Sequence, residues 1–318
     1  MKKTTKRITY ITGIIALVTL SMHLINKLLF AINTMKELLI RNDGSFYHWR
    51  FGKIFYTKKG SGKPILLVHD INGSSSHYEW KQLENSLSQL YTVYTLDLIG
   101  SGKSEKPKLT YTNYLYVQLI SDFIKMIIKE PTDIITSGRS GAAAIMACYI
   151  DNQLFHNILM INPTDLKELN KYPHKKNKVL KWIIDIPILG TFIYNIRFSK
   201  TVIKKKLKSD YMYSSSKPIK HLVEAYSEGA HLSGASSKYL YSSIKCHYVN
   251  TNIIHAIKDI NNSIFIIAGD NAANATNIVS DYQYYNPSIE VNYIKNTKLL
   301  PHVEFPEEVF KWIQLYLQ

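Results

Sequence analysis

Apolar positions change their rhythm several times along the chain. From Ile8 to Ile25 the stretch ITYITGIIALVTLSMHLI carries no charged residue; at about 1.5 Å rise per residue it nearly crosses a hydrocarbon core. LLFAI prolongs the run after Asn26 and Lys27, and Lys27 is long enough to snorkel toward head groups. The pattern predicts a single-pass anchor, with a basic tail and membrane helix over 1–33 and a linker over 34–45. A cleavable signal peptide and an interfacial helix are the competing readings, although the run is long and no Ala-x-Ala site follows it. Lys2, Lys3, Lys6 and Arg7 favour a cytoplasmic start and an extracytoplasmic body; Lys36 and Arg41 on the far side weigh against it.

Beyond the anchor the rhythm shortens. FYHWR and KIFYTKK read as short strands around Gly52, and PILLVHD and YTVYTLDLIG as buried strands. Between them HYEWKQLENSLSQL sets Tyr78, Trp80, Leu83 and Leu87 at roughly helical spacing. YTNYLYVQLISDFIKMIIK reads as helix, DIIT as strand, the small residues after Ser140 as helix, and NILMIN as strand. Strands alternating with helices predict an α/β fold with a mostly parallel sheet covered on both faces. Asp165–Asn262 is too long for a connection before the strand SIFIIAG, and Pro187 and Gly190 mark a helix break inside it.

Composition narrows the class. With 318 residues, 46% hydrophobic, 20% charged and 12% aromatic, the chain is globular and long enough for one large core with a lid. Cys148 and Cys246 have neither metal-ligand spacing nor the makings of a disulfide framework, so no metal and no cofactor are expected. The net charge of +15 is concentrated: between Leu166 and His221, 14 Lys and Arg face only Glu168, Asp185 and Asp210, a balance of +11. Such a segment beside an anchor suits an anionic lipid or polyanion surface, or is simply a solvated helical face. No nucleic-acid motif accompanies it, and nothing speaks to oligomeric state. GSGKS at Gly100–Ser104 imitates the end of a phosphate-binding loop, but that motif's first glycine would fall on Asp97, and Pro107 interrupts the helix it needs.

Chemistry enters with IITSGRSGAAA, which has the form of a strand, a sharp turn and a small-residue helix, with Gly-x-Ser-x-Ala over 138–142. Together with GKPILLVHDINGSSSHYEW, LDLIGSGKSEKP and INP, in that order, it resembles the landmarks of the α/β-hydrolase superfamily, from about Phe46 to the C-terminus. The resemblance implies a core over 46–165 and 263–318 and a basic helical cap over 166–262. It implies Ser140 as nucleophile, with the amides of Gly141 and Ile71 as oxyanion donors. It also makes GSGKS a structural turn, with Ile99 where relatives carry proline.

Departures from the family pattern surround that serine. Asp70 replaces a glycine beside the oxyanion site, where an ionised carboxylate opposes developing negative charge. KLLPHVEFPEE aligns with the family's ending through Pro301, Glu304, Pro306 and Glu307, and this puts Leu299 in the catalytic histidine's place. His302, three residues on, is the candidate relocated base. The acid's usual place holds Ala272; Asp270 is a candidate two residues early, and Asp165 an alternative that is equally a helix cap. The expectation is a membrane-anchored hydrolase homologue, non-catalytic or strongly impaired, that binds an apolar ligand or a partner. The alternative is an active ester or lipid acyl hydrolase using Ser140 with His302 and Asp270 or Asp165. Tyr211, Tyr213, Tyr226, Tyr239 and Tyr241 would line an apolar pocket or pack the core of the cap.

Overall fold

Eight strands join in one sheet: β1 (Ser45–Trp49), β2 (Gly52–Lys59), β3 (Pro64–Val68), β4 (Thr92–Leu96), β5 (Thr132–Ser137), β6 (Phe155–Ile161), β7 (Ser263–Gly269) and β8 (Glu290–Ile294). Their order is β1-β2-β4-β3-β5-β6-β7-β8; β1 and β2 run antiparallel, and every pairing from β4 to β8 is parallel. The computed structural model describes residues 2–40, 43–214 and 219–317. Arg41 and Lys217, counted above among the charges, lie outside them.

The strands are apolar on both faces because both faces are covered. Leu66, Val68, Ile134, Met160 and Ile266 point to one side, where α3 (Asn113–Phe123) and α4 (Ser140–Ile150) contribute Leu119, Phe123, Ala143 and Ala147. Their neighbours Ile65, Leu67, Ile135, Leu159 and Ile267 point to the other, against Leu83 and Leu87 of α2 (Lys81–Leu87) and Val309 and Ile313 of α14 (Pro306–Tyr316). Each such side chain contributes about 1.5–3 kcal/mol by leaving water. The α/β class and the parallel sheet predicted from the alternation are therefore present. Strand β8 was not anticipated, since its EVNYI is only partly buried at the sheet's edge.

Between β6 and β7 the chain builds a layer of helices over the C-terminal ends of the strands: α5 (Leu166–Leu169), α6 (Lys175–Asp185), α7 (Pro187–Arg197), α8 (Lys200–Lys206), α9 (Lys220–His231), α10 (Lys238–Lys245) and α11 (Ile254–Asp259). After β7 come α12 (Ala275–Tyr285) and the short α13 (Pro301–Glu304). Helices α6 and α7 meet at 97°. Pro187 opens α7, and Gly190 passes so close to Ile184 that an added Cβ would lie 1.8 Å from its carbonyl oxygen. The break read from Pro187 and Gly190 is this corner.

The N-terminal helix α1 (Lys2–Thr34) has two halves of different character. Its apolar window reaches a mean hydropathy of 1.9, and every side chain from Lys6 to Ser21 is exposed. From Met22 onward a covered stripe recurs at helical spacing through Asn26, Phe30 and Asn33. Asn26 donates to the Ile188 carbonyl (3.1 Å) and accepts from Asn195 (2.8 Å); Asn33 accepts from Ser227 (2.8 Å); the Phe30 ring stands edge-on to His231. Just past the helix, the Leu38 and Leu39 amides donate to the buried carboxylate of Glu228 at 2.7 and 3.0 Å. The expected boundary between anchor and linker at 33 and 34 thus falls inside a segment packed against the cap, because two asparagines and two amides find buried partners there.

Removing residues 1–21 should leave thermal stability unchanged. Removing 1–39 strands the Glu228 carboxylate and the Asn195 and Ser227 side chains, and should cost roughly 1–3 kcal/mol for each buried group left unpaired. Melting temperatures of the two truncations, followed by circular dichroism, decide this; equal values would show that the packed half of α1 contributes nothing.

Candidate functional site

From β3 the chain turns to β4 on one side and later to β5 on the other. The loops after β3 and β5 therefore leave neighbouring strand ends in opposite directions and open a crevice above the sheet. The parallel register pairs Val68 with Thr136, which sets the two ends level. His69 fixes the first loop: its Nε2 accepts from the Leu98 amide (3.0 Å) while Nδ1 donates to the Asp70 carbonyl (2.8 Å).

The turn from β5 into α4 has its apex at Gly138, in the left-handed region at φ +60°. In an elbow of this type the strained residue between strand and helix is the nucleophile, and its successor supplies an oxyanion amide. The apex here has no side chain, and a Cβ added to it would sit 2.5 Å from Asp70 Oδ1. The successor, Arg139, donates its amide to that same carboxylate oxygen at 2.8 Å.

Ser140, expected as the nucleophile, is instead the first residue of α4 and is fully buried. Its Oγ lies 2.8 Å from the Ser137 carbonyl and 3.2 Å from that of Val68, and accepts from the Ser137 amide. The hydroxyl ties the helix to two strand ends and faces no open space. With the left-handed residue at 138 and the helix beginning at Ser140, Thr136, Gly138 and Ser140 stand at the elbow's three diagnostic positions, two residues before the register expected from the sequence. The Gly141 amide, expected as an oxyanion donor, donates instead to the Gly138 carbonyl at 3.3 Å. Ile71 borders the cavity described below.

The proposed relay partners are scattered by the fold. His302 is fully buried, stacked on Trp80 with ring centroids 4.5 Å apart, and neither ring nitrogen has a hydrogen bond among the described residues. Burial pushes it down to about 3, so it is neutral, and its nearest acid is Glu79, 4.0 Å away. Asp270 is exposed and accepts from Asn271 and the Thr297 amide. Asp165 accepts from the Lys167 amide (2.7 Å) as the N-cap of α5. None of the three is hydrogen-bonded to Ser140, so the relocated relay is not assembled. Leu299 packs against the apolar cluster of the cap, its carbonyl held by Asn162 at 3.1 Å. The GSGKS turn closes on Asp97, whose carboxylate takes the amides of Lys103 and His77.

A cavity of about 200 Å³ lies between this crevice and the cap. Its walls are Ile71–Ser74 and Arg139 from the core, with Arg197, Phe198, Ile203, Lys206, Leu207, Tyr211, Tyr226, Tyr241, Ile244 and Lys245 from the cap. Of the five tyrosines singled out, Tyr211, Tyr226 and Tyr241 line it, while Tyr213 is exposed and Tyr239 packs elsewhere. Tyr211 accepts from Asn72 (3.1 Å), and Tyr226 donates to Glu79 Oε1 (2.5 Å). Glu79 was missed in the sequence because HYEW looks like an ordinary helix start with an outward charge; only packing reveals it as buried.

Burial raises Glu79 to about 7, helped by the nearby carboxylates of Asp70 and Asp97 and opposed by the Tyr226 hydrogen bond. The folded protein therefore holds this proton more tightly than the unfolded chain, and its stability falls as pH rises from the unfolded value of 4.5 through about 7. Glu79→Gln should remove that loss: from about pH 5 to about pH 8 the variant should gain roughly 1–3 kcal/mol on the wild type. His302 acts oppositely, costing stability as pH falls below 6.5, and is common to both proteins. A difference between their urea midpoints that does not change with pH would refute the assignment.

No family model matches the sequence. An uncharacterized protein of Mycobacterium tuberculosis is 30% identical over 103 residues, 32% of this chain and 30% of that one. A 2-hydroxy-6-oxo-6-(2'-aminophenyl)hexa-2,4-dienoic acid hydrolase of Metapseudomonas resinovorans is 26% identical over 113 residues, 35% and 39% of the two chains. The chain thus matches well under half the length of these relatives. Among solved structures, a serine hydrolase involved in carbazole degradation superposes with a TM-score of 0.70 at 16% identity, over 86% of this chain and 98% of that one. A membrane phospholipase A, a bacterial virulence factor, does so with a TM-score of 0.68 at 17% identity, over 97% of both. Strand order, the helices inserted between β6 and β7 and these structural likenesses show that the chain has the α/β-hydrolase fold.

Proposed function

We propose that this is a membrane-anchored α/β-hydrolase-fold protein that has no serine triad and binds a ligand in the cavity between cap and sheet. The observation that carries the reading is the elbow: its apex is Gly138, and the amide that would hold an oxyanion is occupied by Asp70. Leucine at 299 supports it, since that side chain cannot take a proton. An internal carboxylate at the oxyanion amide does what a bound inhibitor would do, and it leaves the cavity walls intact for binding. The exposed apolar half of α1 supports the anchor, and the membrane phospholipase whose structure superposes over nearly the whole chain lends that reading weight.

A fluorophosphonate probe should fail to label the protein at neutral pH, and Ser140→Ala should change nothing except stability. Labelling that disappears in Ser140→Ala would sink the non-catalytic reading. Gly138→Ser alone should stay inactive, because its Cβ collides with Asp70. Gly138→Ser combined with Asp70→Gly and Leu299→His should raise hydrolysis of a short nitrophenyl ester about tenfold or more over any single change, since nucleophile, oxyanion amide and base act as a unit. For the anchor, the full chain should remain with membranes in about 1 M salt, where surface electrostatics are screened out. The chain lacking residues 1–21 should be released, and its retention would overturn the single-anchor account.

A further inference from the structure

The cavity between cap and sheet collects positive charge from four different elements. Arg139 comes from the elbow, Arg197 from the end of α7, Lys206 from the end of α8 and Lys245 from the end of α10, and none of the lining residues is acidic. Among the described residues no carboxylate lies within ion-pair distance of Arg197, Lys206 or Lys245, although each belongs to a chain that pairs many other cations. Arg139 Nε is buried without a hydrogen bond, and the other end of the guanidinium is 4.0 Å from Glu168. Lys206 stands over the Tyr211 ring, 5.2 Å from its centroid, and is held below the usual lysine range by burial and then by the neighbouring Arg197.

A solvated basic face turns its cations outward, where repulsion is screened. Here Arg139, Arg197 and Lys206 are half-buried around one cavity that the more exposed Lys245 also lines, and folding bears the repulsion. A bound anion relieves it. The anion's charge can be read from the count. Asp70, held on the Arg139 amide, and Glu168, 4.0 Å from the Arg139 guanidinium, offset two of the four positive charges and leave about two, which a carboxylate's single charge matches poorly. A phosphate monoester carries nearly two charges at neutral pH and three acceptor oxygens for Arg and Lys donors. Asp70 also keeps the ligand off the oxyanion amide, so the side chains must do the binding. Phe198, Ile203, Leu207 and Ile244 provide an apolar wall beside the charges, suited to a short hydrocarbon substituent.

We infer that the cavity is a binding site for an organic phosphate, its phosphate on Arg139, Arg197, Lys206 and Lys245 and its apolar part against Phe198 and Leu207. This rests on the ligand-binding reading above and specifies its chemistry. Calorimetric titration of the full chain in neutral detergent tests it with hexyl phosphate, hexanoate and inorganic phosphate. Hexyl phosphate should fill a single site, with hexanoate and inorganic phosphate each about tenfold weaker or more. Arg197→Gln and Lys206→Gln should each weaken hexyl phosphate about tenfold, Arg197→Lys should recover part of the loss, and Lys81→Gln on the exposed surface of α2 should leave it unchanged. Without ligand, Lys206→Gln should melt no lower than the wild type, because a repelled charge has been removed; this separates loss of the site from loss of the fold. Equal binding of hexanoate would overturn the phosphate assignment, undiminished binding to the Arg197→Gln, Lys206→Gln double variant would overturn the location, and no binding would overturn both. Displacement by dihexanoylphosphatidic acid supports a lipid headgroup as the source, and displacement by glycerol 3-phosphate a soluble metabolite. Release of hexanol and phosphate would contradict the non-catalytic reading while leaving the site in place, so the two claims can fail separately.

Discussion

The parallel pairing of β3 with β5 is the constraint on which the other features depend. It levels Val68 with Thr136, so the loops that begin at His69 and Gly138 start side by side at the sheet's centre and diverge. Everything at the site is a consequence of that adjacency. The Asp70 carboxylate reaches the Arg139 amide, the Ser140 hydroxyl bridges to the carbonyls of both strand ends, and the helix α4 starts where its first turn can be anchored to the sheet. In an elbow that carries a nucleophile the same geometry holds the nucleophile and an oxyanion. Here the apex is Gly138 and the Arg139 amide is held by Asp70, and the two fit each other sterically, since a Cβ at Gly138 and the carboxylate at Asp70 compete for one space.

Polar groups, rather than a broad apolar interface alone, hold the cap in place over this crevice. Lys106, buried in the loop after β4, donates from Nζ to the carbonyls of Gly229 and Leu232 at 2.6 and 2.9 Å, where the last turn of α9 leaves acceptors free. Glu79 under the cavity accepts a hydrogen bond from the hydroxyl of Tyr226 on the same helix. On its outer side the cap receives the second half of α1 through Asn26, Asn33 and the Glu228 carboxylate. Each of these groups is costly to leave unpaired, so together they specify one docking of cap on core more tightly than interchangeable aliphatic contacts would.

Much of the architecture could be read directly. Strands such as PILLV and SIFIIAG are continuous apolar runs because both faces of a parallel sheet are covered, and the small residues after the elbow are helical because α4 must lie close to the strands. The break at Pro187 follows from the missing amide and the fixed φ of proline. That Leu299 stands at the position where the resemblance expects a histidine, and Asp70 where it expects a glycine, was legible in the sequence. What composition and periodicity cannot carry is phase within a motif. SGRSG satisfies the elbow pattern in two registers, and the choice depends on where β5 stops pairing with β6, at Ser137, which is a property of the partner strand.

The sequence by itself determined the fold class, the existence of a long exposed apolar helix, the excess of positive charge in the cap segment and the absence of a histidine where the family's base would stand, because each of these resides in residue type and local order. Only the tertiary structure decided that Gly138 and not Ser140 stands at the apex, that His302 and Glu79 are buried face to face beneath the site, and that Arg139, Arg197, Lys206 and Lys245 meet around one cavity. The physical reason is the same in every case: burial, left-handed backbone and convergence of charge are relations between segments distant in the chain, and they come into being only when β3 and β5 pair and the cap closes over their ends.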